Sequence, residues 1–381
     1  MLKILKSWNL DWPLVISFVP LLGAGLVVMR PLVVSSTQIV PGGAYFFNRQ
    51  IIWVAVGLVV FFLFSRIDWR FLKASGLLLI LFGISILVLA FLLSHGGITR
   101  GSSSWIDLVF FSVEPADPTK LLLILILAKY FSRRHIEIAN FKHIIISGFY
   151  AAIPALLIFL QPDFGSAMVF VFVWLGMIMV SGINKKHLLV VFLLMALIFT
   201  TSWFFILKPY QKDRISSFLD PLQDPQGSGY NALQSIIATG SGQIWGKGLG
   251  YGTQSRLEFL PEYRTDFIFA AFAEEWGFVG VLIVFFFFGF LIWRILKNAY
   301  YGQSNFEKFF GIGLSIFLVT HFVLHVGMNV GVLPITGLPM PFLSYGGTHM
   351  VTIFAGLGIL MGFRRHSKFA QKDPAVEFLT A

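Results

Sequence analysis

Apolar residues fill long stretches of this chain, and polar residues gather in short clusters between them. Ten runs have the length and continuity of membrane-crossing helices, at about 12–29, 51–65, 74–94, 119–131, 143–160, 165–181, 187–207, 267–295, 306–328 and 348–363. None alternates with a period of two or shows a polar lumen face, which excludes a β-barrel. The run at 119–131 is short for a span of about 20 residues. It ends in Arg133-Arg134, whose stems can snorkel to the interface. The run at 267–295 is long and carries Glu274 and Glu275 inside it. The pattern predicts an all-α polytopic membrane protein, one integral membrane domain over residues 1–381 with ten transmembrane helices. A long loop, 208–265, separates the seventh and eighth.

Composition agrees. Of 381 residues, 57% are hydrophobic and 12% charged, against about 25% charged in a soluble domain. The mean hydropathy of +0.81 excludes a soluble or disordered chain. The absence of cysteine excludes disulfides, thiolate metal sites and a cysteine nucleophile. The net charge of +10 suggests nucleic acid until the charges are located. Eighteen of the 28 lysines and arginines fall on the side that carries both termini, including Arg66, Arg70, Arg133, Arg134, Arg294 and Arg364. The charges follow membrane topology, so no nucleic-acid partner is expected. The asymmetry predicts both termini and the tail 364–381 in the cytoplasm, with residues 208–265 outside. The first apolar run is followed by Arg30-Pro31 without a small-residue cleavage site, so no removable signal is expected.

Candidate chemistry gathers at the outer side. The 208–265 loop is long enough to be functional. It carries Tyr210, Tyr230, Trp245, Tyr251, Tyr263 and several glycines, and can fold over the outer mouth of a bundle. Gly246-Lys247-Gly248 lacks the spacing of a phosphate loop. Glu114, Asp117, Asp163 and Asp266 fall at membrane level on the outer side, where an ionisable group points to function unless it is paired. Each has a bland alternative. Asp117 before Pro118 fits a helix N-cap, Asp163 fits an Asx turn in Gln161-Pro162-Asp163, and Asp266 fits the positive end of a helix. Glu274 and Glu275 read best as structurally paired. Lys120 lies one helical turn after Asp117, on the same face. With Arg214, Arg256 and Arg264 it suits an anionic lipid head group such as a pyrophosphate. His321 and His325 have i,i+4 spacing but no carboxylate partner in their helix, which favours packing over metal binding. The last loop, 327–348, is uncharged and crowded with Pro and Gly. It is expected to be broken backbone forming one wall of the outer site, with Ser344 and Tyr345 touching substrate.

These motifs have a recognisable order. Gln161-Pro162-Asp163-Phe164-Gly165-Ser166-Ala167, Phe259-Leu260-Pro261-Glu262-Tyr263-Arg264-Thr265-Asp266 and the 331–347 loop resemble the SEDS family (shape, elongation, division and sporulation). Lys208-Pro209-Tyr210-Gln211-Lys212-Asp213-Arg214 and Gly252-Thr253-Gln254-Ser255 resemble its elongation branch, RodA, more than its division branch. The resemblance spans about residues 12–365. It implies a ten-span peptidoglycan glycosyltransferase of the bacterial cytoplasmic membrane, acting in cell elongation and shape maintenance. Such an enzyme polymerises lipid II into glycan strands at the outer face. Its implied partners are a class B penicillin-binding protein and the elongation machinery. The family's catalytic aspartate falls on Asp266, the proposed general base for the acceptor 4-hydroxyl. Glu114, Asp117, Lys120, Asp163, Arg214, Arg256 and Arg264 fall among the substrate-binding candidates. Lys120, Arg214 and a divalent cation, Mg or Mn, would carry the pyrophosphate charge. The chain departs from the family pattern at Glu114, where Gln is usual, at Ala116 and Asp117, and at Arg264 and His325, where His and Asn are usual. A lipid II transporter is the alternative of a different class, and a non-catalytic scaffold a third; neither explains outer-side ionisable groups as well.

Overall fold

A computed structural model describes residues 10–30, 33–35, 38–39, 43–95, 105–107, 112–134, 141–205, 209–222, 227 and 229–370. Helices make up most of it. In chain order they are α1 (Trp12–Met29), α2 (Gly43–Phe64), α3 (Phe71–Ala74), α4 (Leu77–His95), α5 (Ala116–Arg134), α6 (Phe141–Leu160) and α7 (Phe164–Val180). There follow α8 (Lys185–Phe205), α9 (Pro209–Leu219), α10 (Tyr230–Ser241), α11 (Thr253–Arg256), α12 (Ile268–Tyr300), α13 (Asn305–Asn329) and α14 (Gly347–Ala370). The all-α expectation holds. Among the described residues, the only extended pieces are two short antiparallel ribbons, β1 (Val33–Ser35) with β2 (Gln38–Ile39) and β3 (Ile106–Asp107) with β4 (Ser112–Val113). Strands of two or three residues are too short to leave a period in the sequence.

Among the described residues, seven helices are long and apolar enough to cross a membrane: α1, α2 from Tyr45, α4, α6, α8, α12 and α13, with α7 apolar but shorter. A helix is the natural form for such runs, because in lipid every backbone polar group must be satisfied within its own segment. Many outward side chains, such as Leu87 and Phe286, are exposed and apolar, as a lipid-facing surface requires. Several helices outlast their apolar runs. α5 begins at Ala116 and ends at Arg134, so Asp117 is inside its first turn rather than capping it. α14 continues to Ala370 and takes in Arg364 and Arg365 from the expected tail.

α12 packs along α1, α13 and α10, α14 along α2, and α13 along α5 and α7. Aromatic contacts seat the last loop in this bundle. Phe342 stacks on Phe18 at 5.8 Å between centroids and meets Phe354 edge-on.

α12 is interrupted at Gly277, whose φ of 65° and ψ of −168° are outside any helix. The 243–248 segment satisfies the groups this break releases. Lys247 N donates to Glu274 O, Gly248 N to Glu275 O, and Phe278 N and Val279 N donate to Gln243 O and Ile244 O, at 2.9–3.1 Å. Gly246 approaches so closely that a Cβ would strike Glu275 O. Glu274, fully buried, ties the same loop through its side chain. It accepts from Lys247 Nζ at 2.7 Å, Thr253 Oγ1 at 3.1 Å and Gln254 N at 3.1 Å. Lys247 is therefore an ion-pair partner, and the structural reading of Glu274 stands.

Candidate active site

The start of α12, the start of α7, the turn before α5 and the last loop converge on one cavity of about 380 Å³. Asp266, Glu262, Thr265, Glu114, Asp163, Ser166, Trp105 and residues 335–339 line it. Asp163 caps α7 by accepting from Ser166 N at 2.9 Å, so its turn role and its place in the cavity coexist. At Gly165 a Cβ would collide with the Thr336 carbonyl oxygen. Only glycine lets α7 meet the last loop this closely. His321 Nδ1 and His325 Nδ1 reach the carbonyls of Pro339 and Leu338 at 3.2 and 2.7 Å. The two histidines thus brace that loop.

Behind the cavity wall is a chain of polar side chains. Lys120, almost fully buried, donates to Asp117 Oδ1 at 3.0 Å and to Ser166 Oγ at 3.2 Å. Ser166 Oγ in turn donates to Glu114 Oε1 at 3.1 Å. His349 Nδ1 lies 3.5 Å from Asp117 Oδ1. The Asp117–Lys120 pair gives each buried charge a partner, without which burial is prohibitive.

Glu114 precedes α5, outside the spanning helices. Burial pushes its carboxyl up to about 8, and the Asp117 charge adds to the effect. Near neutral pH it carries a proton and is then a near-isostere of glutamine. A carboxyl raised from its ordinary 4.5 contributes stability that is complete below that pH and lost as pH rises through about 8. Glu114→Gln is therefore expected to flatten the pH dependence of thermal unfolding over this window and to stabilise the protein at its alkaline end. Melting curves at several pH values check this; an unchanged pH profile would contradict it.

Asp266 is half-buried, and its Oδ2 faces Gly337 across the cavity, 3.5 Å from where a Cβ would stand. Its backbone is fixed by Asn329, a residue that sequence reasoning passed over. Asn329 Nδ2 donates to Asp266 O at 3.0 Å and to His325 O at 2.8 Å, and its Oδ1 accepts from Ala270 N at 3.1 Å. Ser235 of α10 donates to Asn329 O at 2.9 Å. Asn329→Ala should cost about 1–3 kcal/mol by orphaning these groups, measured as a lowered unfolding midpoint, and should loosen the start of α12.

The other candidates fare differently. Arg264 is buried away from the cavity, 4.3 Å from the Tyr263 ring centroid and 5.5 Å from that of Phe46. Ser344 and Tyr345 stand behind the wall. Ser344 Oγ donates to Thr265 O at 2.9 Å, and Tyr345 N donates to Arg264 O at 3.1 Å. Arg256 ends α11 and does not line the cavity. Arg214 belongs to α9, and its side chain is outside the described residues. Among the described lining residues, then, four are carboxylates and none is Lys or Arg. Among the described residues, Arg256 and Arg264 do not line the cavity, and Lys120 reaches its wall through Ser166; the expectation for the Arg214 side chain lies outside the described residues. No group of three His, Asp or Glu side chains close enough to enclose a metal ion occurs among the described residues.

A helical bundle with lipid-facing aromatic and aliphatic side chains and a carboxylate-lined cavity defines a polytopic membrane protein with a polar site at one end. Residues 13–369 match the FTSW_RODA_SPOVE family, described as cell cycle proteins, and the chain belongs to it. The chain is 36% identical over 326 residues to the peptidoglycan glycosyltransferase MrdB of Escherichia coli K12, covering 86% of this chain and 87% of that one. It is 32% identical over 328 residues to stage V sporulation protein E of Bacillus subtilis 168, covering 85% and 88%. Among solved structures it resembles a chain of a peptidoglycan synthase complex that coordinates polymerization and crosslinking, with a TM-score of 0.77 and 30% identity over 93% of this chain and 98% of that one. It also resembles the rod shape determining protein RodA of Thermus thermophilus, with a TM-score of 0.67 and 27% identity over 93% and 96%.

Proposed function

We propose that this protein is a peptidoglycan glycosyltransferase that joins lipid-linked disaccharide-peptide units, lipid II, into glycan strands during cell elongation. The observation that carries the reading is Asp266, half-buried in a cavity of about 380 Å³ with Glu114, Asp163 and Ser166. The similarity to MrdB, a peptidoglycan glycosyltransferase, and to the rod shape determining protein of Thermus supports the substrate class and the elongation role. The proposed topology has ten spans, both termini in the cytoplasm and residues 208–265 outside, which sets the cavity at the outer face. The lysine and arginine asymmetry supports it.

In the proposed reaction, the 4-hydroxyl oxygen of the acceptor sugar attacks the anomeric carbon of the donor. The bond from that carbon to the pyrophosphate oxygen breaks, and the hydroxyl proton passes to Asp266. A single displacement inverts the anomeric centre. Thr265 and residues 335–339 shape the space around the attacking group. Lys120, through Ser166, is the cation among the described residues that reaches the cavity wall and would offset charge on the leaving pyrophosphate. A divalent cation, where required, would be held by lining carboxylates such as Asp163 and Asp266 and would offset the negative charge of the leaving pyrophosphate. A class B penicillin-binding protein is the proposed partner, supported by the synthase complex among the structural relatives.

The test is purified full-length protein with labelled lipid II, with and without the transpeptidase partner. A ladder of glycan polymer is expected. Movement of intact lipid II between leaflets without any polymer would overturn the reading in favour of a transporter.

A further inference from the structure

At the far end of α12 from Asp266, a second cavity of about 390 Å³ opens between α12, α13 and α14. Arg294, Lys297, Asn298, Glu307, Arg364 and Ser367 are among its lining residues. The unbroken part of α12 from Phe278 to Arg294 rises about 25 Å at 1.5 Å per residue. With the helical stretch from Ile268 before the break, this is enough to cross a hydrocarbon core of about 30 Å. The two cavities therefore open at opposite head-group layers. The rim of the second has interfacial character, since Trp293, Tyr300 and Tyr301 are 50%, 76% and 68% exposed beside it.

Its charges are unbalanced. Three cations face two carboxylates. Asp11, almost fully buried at the start of α1, accepts from Arg294 and Arg364 and from Asn298 Nδ2 at 2.7 Å. Glu307 is occupied at the start of α13 by Gln303 N at 2.9 Å and Ser304 Oγ at 3.2 Å. The Nε atoms of Arg294 and Arg364 are buried without hydrogen-bond partners. Lys297 rests 5.0 Å from the Trp293 ring centroid and makes no ion pair among the described residues. Two guanidinium groups that share one carboxylate, Asp11, and an ammonium with no ion pair among the described residues give this hollow at head-group depth a net positive charge, which a phosphate monoanion would balance. Charge-assisted bonds to such donors are the strong class of hydrogen bond, and an apolar tail could lie along the exposed faces of the surrounding helices.

We propose that this cavity binds the phosphodiester head group of an anionic phospholipid from the leaflet opposite the Asp266 cavity. The lipid would brace α12, α13 and α14 where Asp11 already ties α1 to them.

The experiment compares the full-length protein reconstituted in phosphatidylglycerol–phosphatidylcholine vesicles. After extraction in detergent, retained lipid is quantified by native mass spectrometry. Preferential retention of phosphatidylglycerol is expected. Lys297→Gln should lower it about fivefold, the effect of one cation near an anionic surface, while leaving the Asp11 contacts intact. Arg364→Gln alone risks misfolding by weakening the hold on Asp11, so the pair Asp11→Asn with Arg364→Gln is the second variant, also expected to lose retention. Lys185→Gln, on α8 and outside the cavity, should change nothing. Equal retention of both lipids, or equal loss in Lys185→Gln and Lys297→Gln, would overturn the proposal. So would displacement of phosphatidylglycerol by inorganic phosphate together with phosphate binding to the lipid-free protein at like affinity, which would make this a soluble-phosphate site.

Discussion

Asp266→Asn is expected to abolish glycan polymerisation while leaving the fold intact. General base catalysis contributes about 10²–10⁴-fold, and Asn keeps the shape of the side chain while losing its ability to take a proton. The main-chain oxygen that Asn329 holds is unchanged by the substitution. Asp266 is only half-buried and lines the cavity, and Asn keeps its size, so little packing is lost. The expected signature is a wild-type melting curve with a polymerisation rate at least about a hundredfold down. Asp266→Ala should behave alike. Wild-type rates in Asp266→Asn would remove the base assignment and shift it to another lining carboxylate, Asp163 or Glu262.

The second large effect is expected at Lys120. Its ammonium is nearly fully buried against Asp117 at 3.0 Å and Ser166 at 3.2 Å. Lys120→Met leaves the Asp117 carboxylate with His349 alone at 3.5 Å. Breaking a buried pair from one side costs about 3–5 kcal/mol, and a low-dielectric surrounding does not soften that. The single variant should therefore be poorly stable as well as inactive, which by itself says little about catalysis. The informative variant combines Lys120→Met with Asp117→Leu. Replacing both members of a buried pair by apolar residues is often neutral, so stability should return. If Lys120 carries charge from the leaving pyrophosphate, polymerisation should not return with it. A double variant that is stable and polymerises as wild type would reduce Lys120 to a structural role.

The long apolar helices were legible because the bilayer imposes a simple length requirement on apolar runs. α1 ends where its run ends, and α6, α7 and α13 begin and end within two residues of theirs. Polar helix ends were not legible, since a helix continues past the hydrocarbon without a hydropathy signal; α14 beyond residue 363 is the clearest case. The break at Gly277 was also hidden. A lone glycine in an apolar run is ordinarily tolerated in a helix, and only the incoming 243–248 segment, distant in sequence, makes the open conformation favourable. Within the site, the acids Glu114, Asp163 and Asp266 share the cavity because each sits at a helix start on one side. Arg264 was not placed by its sequence position, because sequence gives its depth but not its direction, and it turns to the Tyr263 and Phe46 rings. Ser166 and Asn329 act through partners 46 to 63 positions away. Asn329 did leave a trace, as an uncharged polar residue one turn after His325 in an apolar helix, where such groups commonly hydrogen-bond across helices.

The account depends on Asp266 lying in a solvent-connected hollow at the external face, and the natural absence of cysteine makes this directly measurable. In intact cells or oriented vesicles, the chain bearing Asp266→Cys carries a single thiol. It should react with a membrane-impermeant maleimide supplied from outside, and bound lipid II should slow that labelling. A thiol that reacts only from the cytoplasmic side, or only after the protein is unfolded, would contradict the account.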